Sequence, residues 1–201
     1  MANFKNKSKA AYNEKADNYD YSDEGKFTQK FKDILLSIIV LKENSNVLDV
    51  ACGNGSLLAA LNKQTKINGY GIDIAEKMIE NAAVRNPGME FQTADCEAIP
   101  FENETMNMIT VCAAYHHFPD VVAFAAEAKR LLKPNGTIYI ADVYLSAFWR
   151  VLLNPLVPLS KAGDVKFYSP KEIVKNFEQF GFINTGIKIS GNIQIISMRK
   201  Q

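Results

Sequence analysis

The sequence predicts an α/β fold, a doubly wound seven-stranded sheet that is mainly parallel, has an antiparallel last strand and carries helices on both faces. Apolar runs of strand length alternate with segments whose apolar residues recur at helical spacing. One such run enters a small-residue turn at residues 47–55. A length of 201 residues, 47% of them hydrophobic and 22% charged, suits one globular domain with a sizeable core.

A helix is predicted ahead of the sheet, because apolar residues recur on one helical face. These residues are Phe27, Phe31, Ile34, Leu35, Ile38 and Ile39. Before that helix, Lys5, Lys7 and Lys9 are expected to belong to a solvated terminus.

Alternating strands and helices follow. The pattern predicts strands at residues 46–50, 67–73, 89–93, 106–113 and 137–143. It predicts helices at residues 56–64, 75–85 and 120–132. Pro134, Asn135 and Gly136 are expected to form the turn that ends the third helix.

The last part of the chain predicts a helix at residues 170–180, which ends at Gly181 because glycine readily adopts the left-handed cap conformation. Two closing strands, residues 182–189 and 192–198, flank Gly191 and are predicted to pair as a hairpin. Five parallel strands are thus followed by an antiparallel pair.

We expect one domain, residues 1–201, in four parts. These are an N-terminal cap and helix (1–45), a cofactor-binding core (46–143), an insert (144–168) and a C-terminal helix and hairpin (169–201). Loops as long as the insert often act as lids or binding loops. Its apolar and aromatic side chains, Trp149 among them, allow four interpretations: core packing, a lid over an apolar or aromatic substrate, a dimer contact, or transient contact with a membrane surface.

Charge and cysteine content exclude several classes of protein. Lys+Arg 23 against Asp+Glu 22 leaves a formal charge of +1, so nucleic acid is not an expected partner. The three cysteines are odd in number and lack the close pairs of a zinc site, which favours a reduced, cytoplasmic protein without bound metal. No apolar signal-peptide region follows the first lysines. The oligomeric state stays open.

The turn at residues 47–55 has the form of a Rossmann-like nucleotide-binding motif: a buried strand, a carboxylate at Asp49 and a glycine-rich bend. A dinucleotide fingerprint needs a third glycine, but Leu58 stands at that position when the pattern starts at Gly53. The close backbone approach beside Asp49 suits a ligand with an ammonium group, such as S-adenosylmethionine.

Two further acids are predicted at the same edge of the sheet. Asp73 ends the second strand and could accept hydrogen bonds from ribose hydroxyls, although an NAD enzyme places an acid there too. Asp95 follows the third strand and could accept a hydrogen bond from an adenine amino group. Met78 could pack on the adenine face or be an ordinary core methionine.

Five motifs in series resemble the class I S-adenosylmethionine-dependent methyltransferases, most closely the branch of ubiquinone and menaquinone C-methyltransferases and their small-molecule relatives. They read VLDVACGNG from 47, GID from 71, ADCEAIPF from 94, YHHF from 115 and LLKPNG from 131. The segment YNEKADNYD from 12 also resembles that branch, in which a tyrosine folds over the cofactor.

The resemblance implies a cofactor site, with S-adenosylmethionine as methyl donor and S-adenosylhomocysteine as product. The implied cofactor-binding residues are Tyr12, Tyr19, Asp49, Ala51, Gly53, Gly55, Asp73, Ile74, Met78, Asp95, Cys96 and Ala113. The turn would hold the methionine part, Asp73 the ribose, and Ile74 with Asp95 and Cys96 the adenine. Ala113 would offer its carbonyl near the methionine part, while Tyr12 and Tyr19 would close the site. Ala51 departs from the glycine that many relatives have.

His116 and His117 are the only histidines in the chain and should lie at the same sheet edge. With Trp149 they are candidates to face the substrate, and either histidine could act as a base or simply pack and hydrogen-bond. A metal role is not expected, because adjacent histidines on an extended segment point apart. No catalytic residue is assigned.

The sequence thus predicts an S-adenosylmethionine-dependent methyltransferase with a small, apolar or aromatic acceptor. A protein that binds S-adenosylmethionine without turnover and an NAD-dependent oxidoreductase are the alternatives. A nucleic-acid methyltransferase fits less well, because Ala113-Ala114-Tyr115-His116 stands where amino-methylating enzymes carry an Asn/Asp-Pro-Pro-aromatic motif.

Overall fold

A computed structural model describes residues 2–201. The helices are α1 (Ala2–Lys15), α2 (Asp23–Ile38), α3 (Ser56–Gln64), α4 (Glu76–Arg85), α5 (Val121–Leu131), α6 (Ala147–Leu153) and α7 (Pro170–Glu178). The strands are β1 (Ser45–Val50), β2 (Ile67–Asp73), β3 (Glu90–Thr93), β4 (Met106–Cys112), β5 (Leu132–Val143), β6 (Phe182–Ser190) and β7 (Ile193–Lys200). Within these residues, no helix combines the length and the apolar character needed to cross a membrane.

The seven strands form one sheet in the order β3-β2-β1-β4-β5-β7-β6. Neighbours from β3 to β5 are parallel, whereas β7 pairs antiparallel with both β5 and β6. The predicted fold class is therefore confirmed. Chain order reverses between β1 and β4, and such a switch point opens a crevice at the carboxyl ends of the strands.

Helices cover both faces of the sheet. Phe124 of α5 and Phe177 of α7 are fully buried in one core cluster with Leu48 and Ile109 of the strands. Phe31 of α2 packs on the opposite side, in a second cluster to which α3 and the strands contribute Leu57, Leu61, Val47 and Ile195. The apolar spacing of α2 thus leads to the packing that the sequence predicts.

The predicted turn at Pro134, Asn135 and Gly136 is wrong as an element boundary. Strand β5 already begins at Leu132, directly after α5, and takes these residues in as a bulge. Leu132 pairs with Met106 and Thr137 pairs with Met108, so residues 133–136 of β5 stand opposite the single residue Asn107 of β4. Within this bulge, Asn135 has a positive φ of 64°. Pro134, Asn135 and Gly136 therefore bend strand β5 instead of forming a turn before it.

The expectation of a solvated terminus is also wrong. Helix α1 lies over the sheet edge and contacts α4, and its apolar residues do not fall on one face. The insert packs on α1: Ser8 Oγ donates a hydrogen bond to the carbonyl of Ala162 (3.0 Å). These tertiary contacts, rather than an apolar pattern, hold the helix in place.

Candidate functional site

A cavity opens at the carboxyl ends of β1, β2 and β4, beneath α1. It encloses about 990 Å³ of empty space, a figure that includes its open mouth. Every predicted cofactor-binding residue except Gly55 lines it: Tyr12, Tyr19, Asp49, Ala51, Gly53, Asp73, Ile74, Met78, Asp95, Cys96 and Ala113. The structure thus brings these residues together, while their ligand roles stay predictions.

The turn after β1 owes its shape to three residues with positive φ: Ala51 (59°), Gly53 (51°) and Gly55 (72°). Gly55 lies at the start of α3 rather than on the cavity wall, and a Cβ there would come within 3.0 Å of the Phe91 ring. Its role is to allow the turn and the close packing beneath it. Ala51 and Ala113 (φ 55°) adopt this left-handed conformation although they carry a Cβ, so both are strained. Both residues line the cavity.

Asp49 is a buried carboxyl at the floor of the cavity, with 2% of its surface exposed. Thr110 Oγ1 donates a hydrogen bond to its Oδ1 at 2.7 Å. Burial raises the pKa of Asp49 to about 7, against the lowering effects of Thr110 and Lys32. A cationic group entering the cavity would favour its ionised form.

Asp73 is held by the backbone on both of its oxygens. Gly53 N donates to Oδ2 and Ala75 N to Oδ1, each at 2.9 Å. These bonds fix the carboxylate at the sheet edge, and burial raises its pKa. A carboxylate offers about four acceptor positions, so two remain for further donors such as hydroxyl groups.

Asp95 already has a partner that the sequence did not indicate. Lys5 Nζ of α1 lies 2.6 Å from Asp95 Oδ2 and 2.5 Å from Glu97 Oε2, so the expectation of a solvated terminus fails for this lysine. Asp95 Oδ1 accepts from Glu97 N at 3.0 Å. Asp95 and Lys5 both line the cavity, so an adenine amino group would share this carboxylate with Lys5.

Tyr12 and Tyr19 form the roof of the cavity, with ring centroids 6.0 Å apart. Tyr12 OH donates a hydrogen bond to Glu24 Oε1 at 2.9 Å and lies 3.0 Å from His117 Nε2. Below them, Asn54 Nδ2 donates to the carbonyl of Ala16 at 3.2 Å, which ties the glycine-rich turn to the roof.

The two histidines do not point apart, contrary to the reasoning from sequence. Residues Tyr115–His117 form a 3₁₀ turn rather than an extended segment, and the imidazole centroids lie 4.2 Å apart. His117 lines the cavity, whereas His116 is buried behind it, with Nδ1 2.6 Å from Asp142 Oδ1. Burial, with His116 nearby, lowers the pKa of His117, while carboxylates oppose burial and raise that of His116.

Trp149 does not line the cavity. Helix α6 has no buried residue, Trp149 is 50% exposed and Phe148 69% exposed, so core packing is the wrong interpretation for this helix. The insert instead approaches the histidines through Asp164, whose Oδ1 is 3.2 Å from His117 Nδ1. Lid, dimer contact and membrane-surface contact stay predictions for α6.

Sequence reasoning missed several wall residues: Lys5, Ser8, Asp20, Thr28, Lys32 and Asn54. Asn54 lies within the glycine-rich turn and could have been found there. The others come from α1, the following 3₁₀ turn and α2, whose position over the cavity no local pattern gives.

Comparison with known proteins agrees with this class of fold. Residues 48–140 match the family model described as a methyltransferase domain. The predicted resemblance to the class I S-adenosylmethionine-dependent methyltransferases is confirmed.

Relatives from quinone biosynthesis are among the matches. The ubiquinone/menaquinone biosynthesis C-methyltransferase UbiE of Rickettsia typhi is 35% identical over 104 residues, which cover 46% of this chain and 42% of that protein. The demethylmenaquinone methyltransferase of Chlorobaculum tepidum is 29% identical over 159 residues, which cover 73% of this chain and 63% of that protein. The chain thus spans less than two thirds of either relative.

Solved structures share the fold at low identity. Geranyl diphosphate C-methyltransferase of Streptomyces coelicolor superposes with a TM-score of 0.77 at 10% identity and covers 98% of each chain. A putative methyltransferase of Bacillus halodurans gives 0.74 at 21% identity and covers 84% of this chain and 98% of its own.

Proposed function

We propose that this protein transfers the methyl group of S-adenosylmethionine to a small, apolar or aromatic acceptor. One observation carries the proposal: Asp49, Asp73 and Asp95, which lie at or just beyond the carboxyl ends of β1, β2 and β3, line a single cavity together with the glycine-rich turn. An ammonium group, a ribose and an adenine are the three parts of one ligand that such a series suits. The quinone-biosynthesis names of the relatives support an apolar acceptor.

The cofactor's parts are assigned to separate elements. Asp49 and the backbone at Ala51 and Gly53 would hold the methionine part, and Ala113 would place its carbonyl beside it. A carboxyl as buried as Asp49, whose hydrogen-bond donor in the fold is the Thr110 hydroxyl, fits an ammonium group. Asp73 would accept hydrogen bonds from the ribose.

The adenine would lie where β2 and β3 end. Ile74 and Met78 would contact its faces, with Asp95 and Cys96 at its edge. Burial raises the pKa of the Cys96 thiol, which leaves this group neutral and makes its packing and backbone the relevant features.

Catalysis would rest mainly on alignment and on exclusion of water. Bound S-adenosylmethionine supplies an already activated methyl group, so the chain need not activate the donor. Tyr12 and Tyr19 would cover the reacting groups. If the acceptor must lose a proton, His117 rather than His116 is positioned to take it, because His117 lines the cavity and His116 does not.

Ligand-dependent thermal stabilisation tests the cofactor assignment. A ligand that binds only the folded state raises the melting temperature, so S-adenosylhomocysteine should stabilise the protein and NADH should not. Stabilisation by NADH alone would overturn the proposal in favour of an oxidoreductase.

Turnover separates an enzyme from a binding protein. Purified protein with methyl-labelled S-adenosylmethionine should transfer label to at least one member of a panel of quinols, phenols and prenyl compounds. Tight cofactor binding without transfer to any of them would favour the non-catalytic alternative.

A further inference from the structure

We propose that His116, His117 and Asp164 form a binding site for one divalent transition-metal ion. Asp164 Oδ1 lies 3.4 Å from His116 Nε2 and 3.2 Å from His117 Nδ1, and the donor atoms all lie within 4.8 Å of one another. The two histidines follow β4 and the carboxylate comes from the insert. The proposal does not depend on the proposed methyl donor, and an ion on His117 Nδ1 would exclude this histidine as the base, because its Nε2 contacts Tyr12 OH.

The spacing of the donor atoms suits an ion. Two donors that each bind a metal at about 2.0–2.1 Å lie roughly 2.9–3.4 Å apart when the angle between them is octahedral or tetrahedral. Both measured distances to Asp164 fall at this spacing. An ion could therefore enter with small side-chain rotations.

His117 Nδ1 is the donor atom that most needs a partner. It is buried, the side chain is 10% exposed, and Nδ1 makes no hydrogen bond although Asp164 Oδ1 is 3.2 Å away. A buried polar atom without a hydrogen bond is costly. An ion between the two atoms would satisfy both, and His117 Nε2 would keep its contact with Tyr12 OH.

A carboxylate other than Asp164 contacts the remaining ring nitrogen of His116, an arrangement that is common for metal-binding histidines. Asp142 Oδ1 is 2.6 Å from His116 Nδ1, and Val143 N donates to the same oxygen at 2.8 Å. A carboxylate on Nδ1 fixes the ring and directs the lone pair of Nε2 toward the ligand position. Here Nε2 faces Asp164.

The exposure of the site and the kinds of donor atom determine which metal ion can bind. Asp164 is 20% exposed and His117 lines the cavity, so the position can be reached from outside. Two imidazole nitrogens and one carboxylate favour zinc, iron, cobalt or nickel over magnesium and calcium. Three protein ligands leave a coordination position open.

Cobalt(II) titration of the metal-stripped protein, with no cofactor added, tests the site. We expect one ion per chain, with the visible bands of nitrogen and oxygen ligation. Asp164→Asn should abolish the bands. Asp142→Asn should weaken the affinity by roughly 10–100-fold, as loss of a supporting carboxylate does. Asp33→Asn, which changes an exposed carboxylate on α2, is the matched control and should bind as the unaltered protein does.

Three outcomes would overturn the proposal: no binding, unchanged binding by Asp164→Asn, or a thiolate-to-cobalt band that places the ion on a cysteine. A second measurement needs no variant. Because the chain has two histidines, ¹⁵N spectra of the histidine-labelled protein are simple to assign. Zinc should shift His116 Nε2 and His117 Nδ1, and unshifted nitrogens would show that the cluster is only a hydrogen-bonded contact. The proposed cofactor function stands or falls separately.

Discussion

The cavity edge and the insert are built in opposite ways. At the cavity edge, Asp49 and Asp73 are buried, and hydrogen bonds from Thr110, Gly53 and Ala75 fix their oxygens. In the insert, α6 buries no residue and presents its aromatic side chains to solvent. Groups that must discriminate a ligand are fixed by the sheet, whereas α6 can vary without cost to the core.

The largest effect at the cavity edge should come from a methyl group added beneath the glycine-rich turn. Gly55→Ala forces alanine into a left-handed conformation and against the Phe91 ring, so we expect a loss of about 2–4 kcal/mol of unfolding free energy. Gly191→Ala is the matched control, because Gly191 also has positive φ but no atom within 4 Å of the added Cβ. It should lose only about 1–2 kcal/mol. Equal losses in urea unfolding would show that the packing beneath the turn is loose.

The affinity for S-adenosylhomocysteine should depend on the ionisation of Asp49. Because burial raises the pKa of this carboxyl to about 7, it is mostly protonated below that pH and attracts the ligand's ammonium group weakly. Affinity should rise by up to about tenfold per pH unit as pH approaches 7 and then level off. Calorimetry with Asp49→Asn should show weaker binding without this slope. The same slope in both proteins would assign it to another group.

Ala51→Gly should relieve strain at the same edge. The left-handed conformation costs alanine roughly 1–2 kcal/mol, which the glycine variant avoids. The greater freedom of glycine in the unfolded chain lowers the stability of the variant by about 0.5–1 kcal/mol, which offsets part of this gain. We expect stability that is unchanged or higher by up to about 1.5 kcal/mol. Ala123→Gly, the same change inside α5, should instead lose about 1 kcal/mol. If both variants lost stability equally, the strain at Ala51 would be refuted.

The smallest change in unfolding free energy should come from truncating an aromatic side chain of α6 in the insert. Trp149 is half exposed on a helix without buried residues, so Trp149→Ala should change the unfolding free energy by less than about 0.5 kcal/mol. Phe124→Ala, an aromatic truncation in the core, should lose about 3–5 kcal/mol. A loss of several kcal/mol for Trp149→Ala would restore the core-packing interpretation.

Most of the sheet was predictable because its signals are local. The apolar runs, Gly181 after α7 and the glycine-rich turn each act on their own stretch of chain, and β2 and α3 begin and end where the pattern predicts. The bulge in β5 was not predictable, since Pro134 and Gly136 indicate a turn equally well whether or not the strand continues around it.

The site was predictable where its residues end strands and not where they come from covering elements. Asp49 and Asp73 lie at the carboxyl ends of β1 and β2, and Asp95 follows β3; these three strands are parallel, so chain order alone gathers the acids at one edge. Lys5 and Asp164 reach that edge only through tertiary packing, and neither residue's own neighbourhood in the sequence indicates it. His116 and His117 lie close together because residues 115–117 form a 3₁₀ turn. The sequence of so short a segment does not predict that backbone conformation.

Titration calorimetry of S-adenosylhomocysteine against the unaltered protein and Asp73→Ala tests the central claim most directly. Asp73 is the acid that the backbone fixes on both oxygens, so its loss should weaken binding by roughly 1.5–3 kcal/mol, the range for hydrogen bonds to a charged group. Asp33→Ala should bind as the unaltered protein does, and circular dichroism should confirm that each variant is folded. Unchanged affinity in folded Asp73→Ala would contradict the assignment of this cavity to S-adenosylmethionine.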